Sequence, residues 1–131
     1  MDNSISKSMA AASSGMNVQS FRLRIASENL SNADTNGYHR KLVNFATEMD
    51  RVNDVERVKI GDVSLDNSDG EQSYDPTHPL ANAEGMVMSS NVDMMIELAD
   101  AREAGRSYEA NLSTFKQATQ MYRSLIDLLR N

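Results

Sequence analysis

Few residues here are of types that do chemistry. There are two histidines, His39 and His78, no cysteine, and acidic side chains gathered in the middle of the chain. Asp75 with His78 could make a carboxylate–imidazole pair, the start of a general base or half of a zinc site. The spacing argues against both uses. Neither histidine has a second His at a helical ligand spacing, and the one carboxylate so spaced, Asp75, makes only a weak pair with His78. The run Tyr74-Asp75-Pro76-Thr77-His78-Pro79 carries prolines at 76 and 79, so it cannot be helix. The six glycines are scattered and build no phosphate-cradling loop, and no Gly-x-Ser-x-Gly elbow is present. The absence of Cys excludes thiolate catalysis, disulfides and cysteine metal sites. The acidic side chains read as a solubilising surface and the histidines as exposed or turn-stabilising groups. No catalytic residue, metal or cofactor is expected.

The rest of the composition says what the chain is built for. Its 131 residues, 40% of them hydrophobic, suit one domain with a modest core. Only seven residues are aromatic (four Tyr, three Phe) against nine Met, which favours helix-on-helix packing over a β-sandwich. The net charge of −6 is wrong for nucleic acid. No apolar run is long enough for a membrane span, and the stretch 1–14 carries one Lys and no apolar run, so no cleavable signal peptide is expected. The charge is also partitioned. Residues 1–38 carry three basic and three acidic groups, residues 39–90 five and ten, and residues 91–131 five and six. Near-neutral ends can pack side by side while an acidic middle stays solvated.

The ends are periodic. Ile5, Met9, Ala12, Met16, Gln19, Leu23, Ala26 and Leu30 recur at spacings of four and three, with a second stripe at Ala11, Val18, Phe21 and Ile25. Asp2, Asn3 and Ser4 can cap this helix, and Asp34-Thr35-Asn36-Gly37 can end it. The pattern returns at Met94, Leu98, Ala101, Gly105, Tyr108, Leu112, Phe115, Thr119, Tyr122, Ile126 and Leu129, with Asn91 as the expected N-cap. Gly105 weakens a helix interior, so a close helix contact is expected there. Helices of about 43 and 58 Å cannot fit inside a globule whose radius of gyration is about 14 Å. The expected fold is therefore mainly α: an elongated antiparallel pair of long terminal helices with apolar faces left over. Between them, Val55–Leu65 reads as a strand, Asp66–Gly70 as a turn, Glu71–Tyr74 as a possible returning strand, and 83–88 as a turn leading into a short strand.

Three segments are more specific than periodicity. The first runs from Ala26 through Asn29, Asn32, Thr35, Gly37 and Tyr38 to Arg40. The second is Tyr74-Asp75-Pro76-Thr77-His78-Pro79, followed by Gly85 and by Asn91-Val92. The third, Arg106-Ser107-Tyr108-Glu109-Ala110-Asn111, lies on the second long helix. In the first, Asn29 and Asn32 can bond carbonyls freed at a helix end, Gly37 can take a left-handed backbone, and Tyr38 can pack back as an anchor.

These segments resemble the flagellar axial proteins of rod, hook and hook-associated type. Their first helix ends in a pattern near A-x-N-[IL]-x-N-x-x-T-P-G-Y, and the second and third segments are similar to the proximal-rod members. Asn36, Met86 and Ser90 stand where that family usually has Pro, Tyr and Pro, and loss of the proline at 90 is expected to let the second helix fray or begin early. The resemblance implies a basal-body rod subunit, exported unprocessed through the flagellar type III apparatus, assembling in the periplasm and carrying torque. It further implies an axial core made of 1–38 and 91–131, with 39–90 outside it. Subunit contacts are then expected from Ile5, Met9, Met16, Phe21, Leu23 and Leu30, and from Leu98, Tyr108, Asn111, Leu112, Phe115, Tyr122, Ile126 and Leu129. The partners implied are copies of the chain, other rod proteins, the export apparatus and basal-body ring components, with no nucleic acid and no membrane span. Phe45 and Met49 fit the Phe-x-x-x-hydrophobic pattern that export substrates of the family carry, and equally fit side chains packing a hairpin. The alternatives are another rod protein or a type III secretion chaperone.

Overall fold

The computed structural model describes residues 2–131, with side-chain environments from Ser4 onward. Six elements follow in order: α1 (Asp2–Ser31), β1 (Lys41–Asp50), β2 (Val55–Leu65), β3 (Gln72–Tyr74), β4 (Met86–Met88) and α2 (Met94–Arg130). This is the mainly α architecture expected, with two long terminal helices and a small strand region between them. The N-cap expected from Asp2 and Asn3 falls on side chains outside those described.

α1 is the central element, packed on one side by α2 and on another by β2. The helices run antiparallel. Arg22 on α1 reaches Asp100 and Glu103 on α2, Gly15 lies opposite Asn111, and Ile5 shares a groove with Gln117, Met121 and Leu125. The two stripes read from the sequence are both used: Ile5, Ala12 and Ala26 of the first and Val18 and Ile25 of the second are buried. A helix with partners on two sides needs two apolar stripes. On α2 the buried line is Glu97, Ala104 and Ala118, with Ala101, Tyr108, Asn111 and Phe115 half-buried between them. It runs beside the expected heptad and shares only every second of its positions. Small residues on both helices let the axes approach. A Cβ on Gly15 would stand 2.6 Å from Asn111 Nδ2, whereas one on Gly105 would meet nothing within 4 Å. The close contact expected at Gly105 is thus at Gly15 instead. Gln19, the polar member of the first stripe, leaves its Oε1 buried without a partner.

The strands pair differently from expectation. β2 pairs with β1, not with Glu71–Tyr74, in a long antiparallel hairpin running from Lys41↔Leu65 to Asp50↔Val55. Asn44 faces two residues, Gly61 and Asp62, in a bulge between Val43↔Val63 and Phe45↔Ile60. The tip is Arg51–Asp54. Asp50 organises it by accepting from the Val52 N–H (3.0 Å) and the Asn53 amide (2.8 Å), and by an ion pair with Arg57 (2.5 Å). The Asn53 amide, first, and the nearby N–H groups hold the Asp50 carboxyl below its ordinary range. Asp54 takes the left-handed conformation (φ 51°) that Asp tolerates better than most residues. The tip bonds back to the start of α1 through Ser6–Asn53 (3.0 Å) and Lys7–Asp54 (3.5 Å), so the hairpin lies along most of α1. β3 pairs instead with β4, in register Gln72↔Met88 to Tyr74↔Met86.

Candidate assembly site and the junction that positions it

Four segments meet where α1 ends: the turn after α1, the start of β1, the 66–91 linker and the start of α2. Asn29 is the hub. It is 1% exposed, accepts at Oδ1 from the Tyr38 hydroxyl and the Lys41 N–H (both 2.9 Å), and donates from Nδ2 to the Lys41 carbonyl (3.0 Å). Asn32 donates to the Glu28 carbonyl (2.9 Å), and its side-chain oxygen accepts from Thr35 (3.2 Å). Gly37 is left-handed (φ 73°), which frees its N–H to donate to Met88 of β4 (3.0 Å). Burial, and then the neighbouring Glu28 carboxylate, raise the Tyr38 phenol above its ordinary value, so the hydroxyl stays a donor. Lys41 bonds Glu28, which raises its ammonium above the usual range.

The linker closes on this turn. Asn91 accepts at Oδ1 from the Arg40 N–H (2.7 Å), donates from Nδ2 to the Asp66 and Ser68 carbonyls (both 2.9 Å), and bonds Tyr38 O through its own N–H (3.2 Å). These are not the bonds of an N-cap. That role belongs to Asp93, whose side chain accepts from the Met95 N–H at 2.9 Å. The Ser68 N–H and hydroxyl, followed by Arg40 and His39, hold the Asp66 carboxyl below its ordinary range. His39 Nδ1 lies 2.9 Å from the Asp66 carbonyl, to which it donates.

In the second motif, His78 Nδ1 accepts from the Leu80 N–H (3.0 Å), so the neutral ring carries its proton on Nε2. The Asn36 side-chain amide places its Nδ2 3.0 Å from that nitrogen. The Asp75 N–H donates to the Gly85 carbonyl (2.9 Å), and Asp75 accepts from the Thr77 hydroxyl (2.9 Å). Gly85 is left-handed (φ 77°), and a Cβ there would stand 2.9 Å from the Tyr74 ring and 3.1 Å from Pro76. Pro79 is exposed and Val92 half-buried. Two departures from the family pattern prove to be bonded. Asn36 meets His78, and the Ser90 hydroxyl donates to the Ala33 carbonyl. α2 begins at Met94 under its own cap, Asp93.

One group at the junction, read from the sequence only as an early acidic residue suited to the helix dipole, has a tertiary role that reading did not suggest. Glu97 is 1% exposed and accepts from Arg40 Nε at 2.6 Å, and Asp100 stands between Arg40 (3.7 Å) and Arg22 (3.5 Å). Removing Arg40 would strand a buried carboxylate, a loss of about 3–5 kcal/mol. The available signal was a charge on the line 97-101-104-108, visible only once the heptad is given the right phase. Among the described residues no group of three His, Asp or Glu could hold a metal ion.

The junction fixes a helix pair that leaves a set of apolar side chains half-buried or exposed. Of the residues expected at subunit contacts, Ile5 is buried inside the chain. Met9, Met16, Phe21 (with Arg24 over its ring at 4.8 Å), Leu23, Leu30, Tyr108, Asn111, Leu112 and Phe115 are half-buried. Leu98 and Tyr122 are each 47% exposed, Ile126 37% and Leu129 86%. Phe45 and Met49 stand on the outward face of β1.

Residues 9–39 match the family described as flagella basal body rod protein, and residues 83–128 the C-terminal family of the flagellar basal body rod FlgEFG proteins. Those stretches hold most of the two helices and the turn after α1, and they define a flagellar rod-type axial protein. The chain is 46% identical to the flagellar basal-body rod protein FlgC of Agrobacterium fabrum, over 96% of each chain. It is 31% identical to FlgC of Bacillus subtilis, over 92% of this chain and 95% of that one. With FlgC of Escherichia coli O157:H7 the identity is 32%, over 89% and 92%. The chain belongs to the FlgC family of flagellar basal-body rod proteins, which are structural subunits of the flagellar rod.

Proposed function

We propose that this subunit acts in the proximal rod, in the periplasm, as a mechanical part and not as a catalyst. It leaves the cytoplasm unprocessed through the flagellar type III apparatus, with Phe45 and Met49 as the segment read at the export gate. It then polymerises with its own copies and other rod proteins through residues of 1–38 and 91–131, while 39–90 lies outside this axial core, near the basal-body rings. Heterologous head-to-tail contacts of this kind propagate into a helical shaft, in which many small interfaces carry torque together. The free ends of the terminal helices, away from the junction, become fully ordered only on assembly, which guards against premature polymerisation.

One observation carries this reading: α2 leaves Leu98, Tyr122, Ile126 and Leu129 open along a helix already held in place by the junction. Apolar side chains repeated along one helix are unfavourable in water and favourable in a lattice. The test is Leu112→Asp in a motile host, with the exported protein measured in the medium and rods counted in basal-body preparations. Export at the wild-type level without rods is expected. Rods of normal length would contradict the reading.

A further inference from the structure

Of the twelve asparagines, only Asn36 is followed by glycine. That pair is chemically reactive. The amide carbon of an asparagine is open to attack by the backbone nitrogen of the next residue, and a glycine has no side chain to obstruct the approach. In the attack the Gly37 N–H loses its proton to solvent base and the nitrogen bonds Asn36 Cγ, while Nδ2 leaves as ammonia. Water then opens the five-membered imide. Opening at Cγ leaves an aspartate at position 36. Opening at the main-chain carbonyl leaves an isoaspartate, whose backbone carries one extra atom before Gly37.

The folded junction withholds each part of this reaction. Gly37 is exposed, so water reaches it and burial is not the guard. Its N–H is instead bound to the Met88 carbonyl at 3.0 Å, which holds the proton that must leave and turns the nitrogen toward β4. The Tyr38 N–H donates to the Thr35 carbonyl (3.2 Å), and of the two central residues only Gly37 has a positive φ (73°). That is the pattern of a type II turn, whose first central residue is extended with ψ about +120°. An extended Asn36 points the next nitrogen away from its own side chain. The amide is held as well, with Nδ2 3.0 Å from His78 Nε2.

We infer that the Asn36-Gly37 pair is a modification site, at which the chain deamidates spontaneously while unfolded and is protected once the junction closes. The product matters because of where it lies. An isoaspartate lengthens the path into Gly37 and Tyr38, so that the bonds from Gly37 to Met88 (3.0 Å) and from Tyr38 to Asn29 (2.9 Å) cannot both keep their register. A chain left unfolded for long therefore loses the turn that joins α1 to β1 and to the linker.

The test is peptide-mapping mass spectrometry of the full-length protein aged at neutral pH, folded and in denaturing urea, with far-UV circular dichroism to confirm the fold of the native samples. The peptide holding position 36 should gain one mass unit at least about tenfold faster in urea, because the closed turn must first lose two hydrogen bonds. His78→Ala should speed the folded reaction several-fold and leave the urea rate unchanged, and Asn36→Gln should remove the mass gain at this position. The isoaspartate chain, separated after ageing and returned to native buffer, should melt below an Asn36→Gln chain aged beside it. A folded rate less than tenfold below the urea rate would overturn the inference. So would a folded rate untouched by His78→Ala, or an isoaspartate chain that melts with the Asn36→Gln control.

Discussion

Asn29 shows how much one side chain can hold. Its amide seats the Tyr38 hydroxyl and bonds both the N–H and the carbonyl of Lys41, fixing the first residue of β1 against the last turns of the helix. An aspartate cannot donate to that carbonyl, and an alanine leaves three part-buried partners without this bond. Asn29→Ala should cost about 3 kcal/mol, since each buried group left unsatisfied costs ~1–3 kcal/mol and part of the loss is recovered by relaxation. Urea unfolding monitored at 222 nm measures this, and a loss under 1 kcal/mol would mean that the junction is held elsewhere. The role of the turn was legible in the sequence, because Asn, Gly and Tyr at a helix end each have a physical use there. The roles of Asn36 and Ser90 were not. Their bonds to His78 and Ala33 cross from the turn to a linker distant in sequence, and no local spacing records that. Asn91 misled for the same reason: it has the chemistry of an N-cap, but tertiary partners use its side chain while Asp93 serves the helix.

At the scale of elements, the helices were readable and the hairpin only half so. β2 announces itself with Val55, Val58, Ile60 and Val63. β1, Lys41-Leu42-Val43-Asn44-Phe45-Ala46-Thr47-Glu48-Met49-Asp50, mixes strand formers with Leu, Ala, Glu and Met, which favour helix. The tip Arg51-Val52-Asn53-Asp54 lacks the Asn-Gly or Asp-Gly pair that marks a tight hairpin, whereas Asp66–Gly70 looks like a turn and serves as a connection. Heptad phase was the other weakness. A broad apolar face offers several lines, and only the partner helix decides which is inside. Two glycines turn this into a measurement. Gly15→Leu should destabilise the free chain by about 1–3 kcal/mol, because the added atoms meet Asn111. Gly105→Ala should stabilise it by about 0.5–1 kcal/mol, since its Cβ enters open space in a helix. Melting curves of the two variants should shift in opposite directions, and shifts of the same sign would contradict this packing.

For the whole molecule the decisive quantity is surface. A compact protein of 14.5 kDa exposes about 6,900 Å², and this chain exposes 9101 Å². The difference, about 2,200 Å², is worth two to three one-sided standard interfaces of ~800 Å² each. The sequence implied this excess, since two helices too long for a globule leave faces uncovered. It could not show which faces, because that depends on how α2 turns about its axis against α1. The central claim is that the open face of α2 is covered in the rod. Its most direct test is maleimide labelling of single cysteines placed in this cysteine-free chain at Leu98, Tyr122 and Leu129, first in the free protein and then in purified basal bodies. All three should label readily in the free protein and be protected in the assembled rod, while a cysteine replacing Glu109 on the same helix serves as the intrinsic comparison. Labelling of the three as fast in basal bodies as in the free chain would contradict the account.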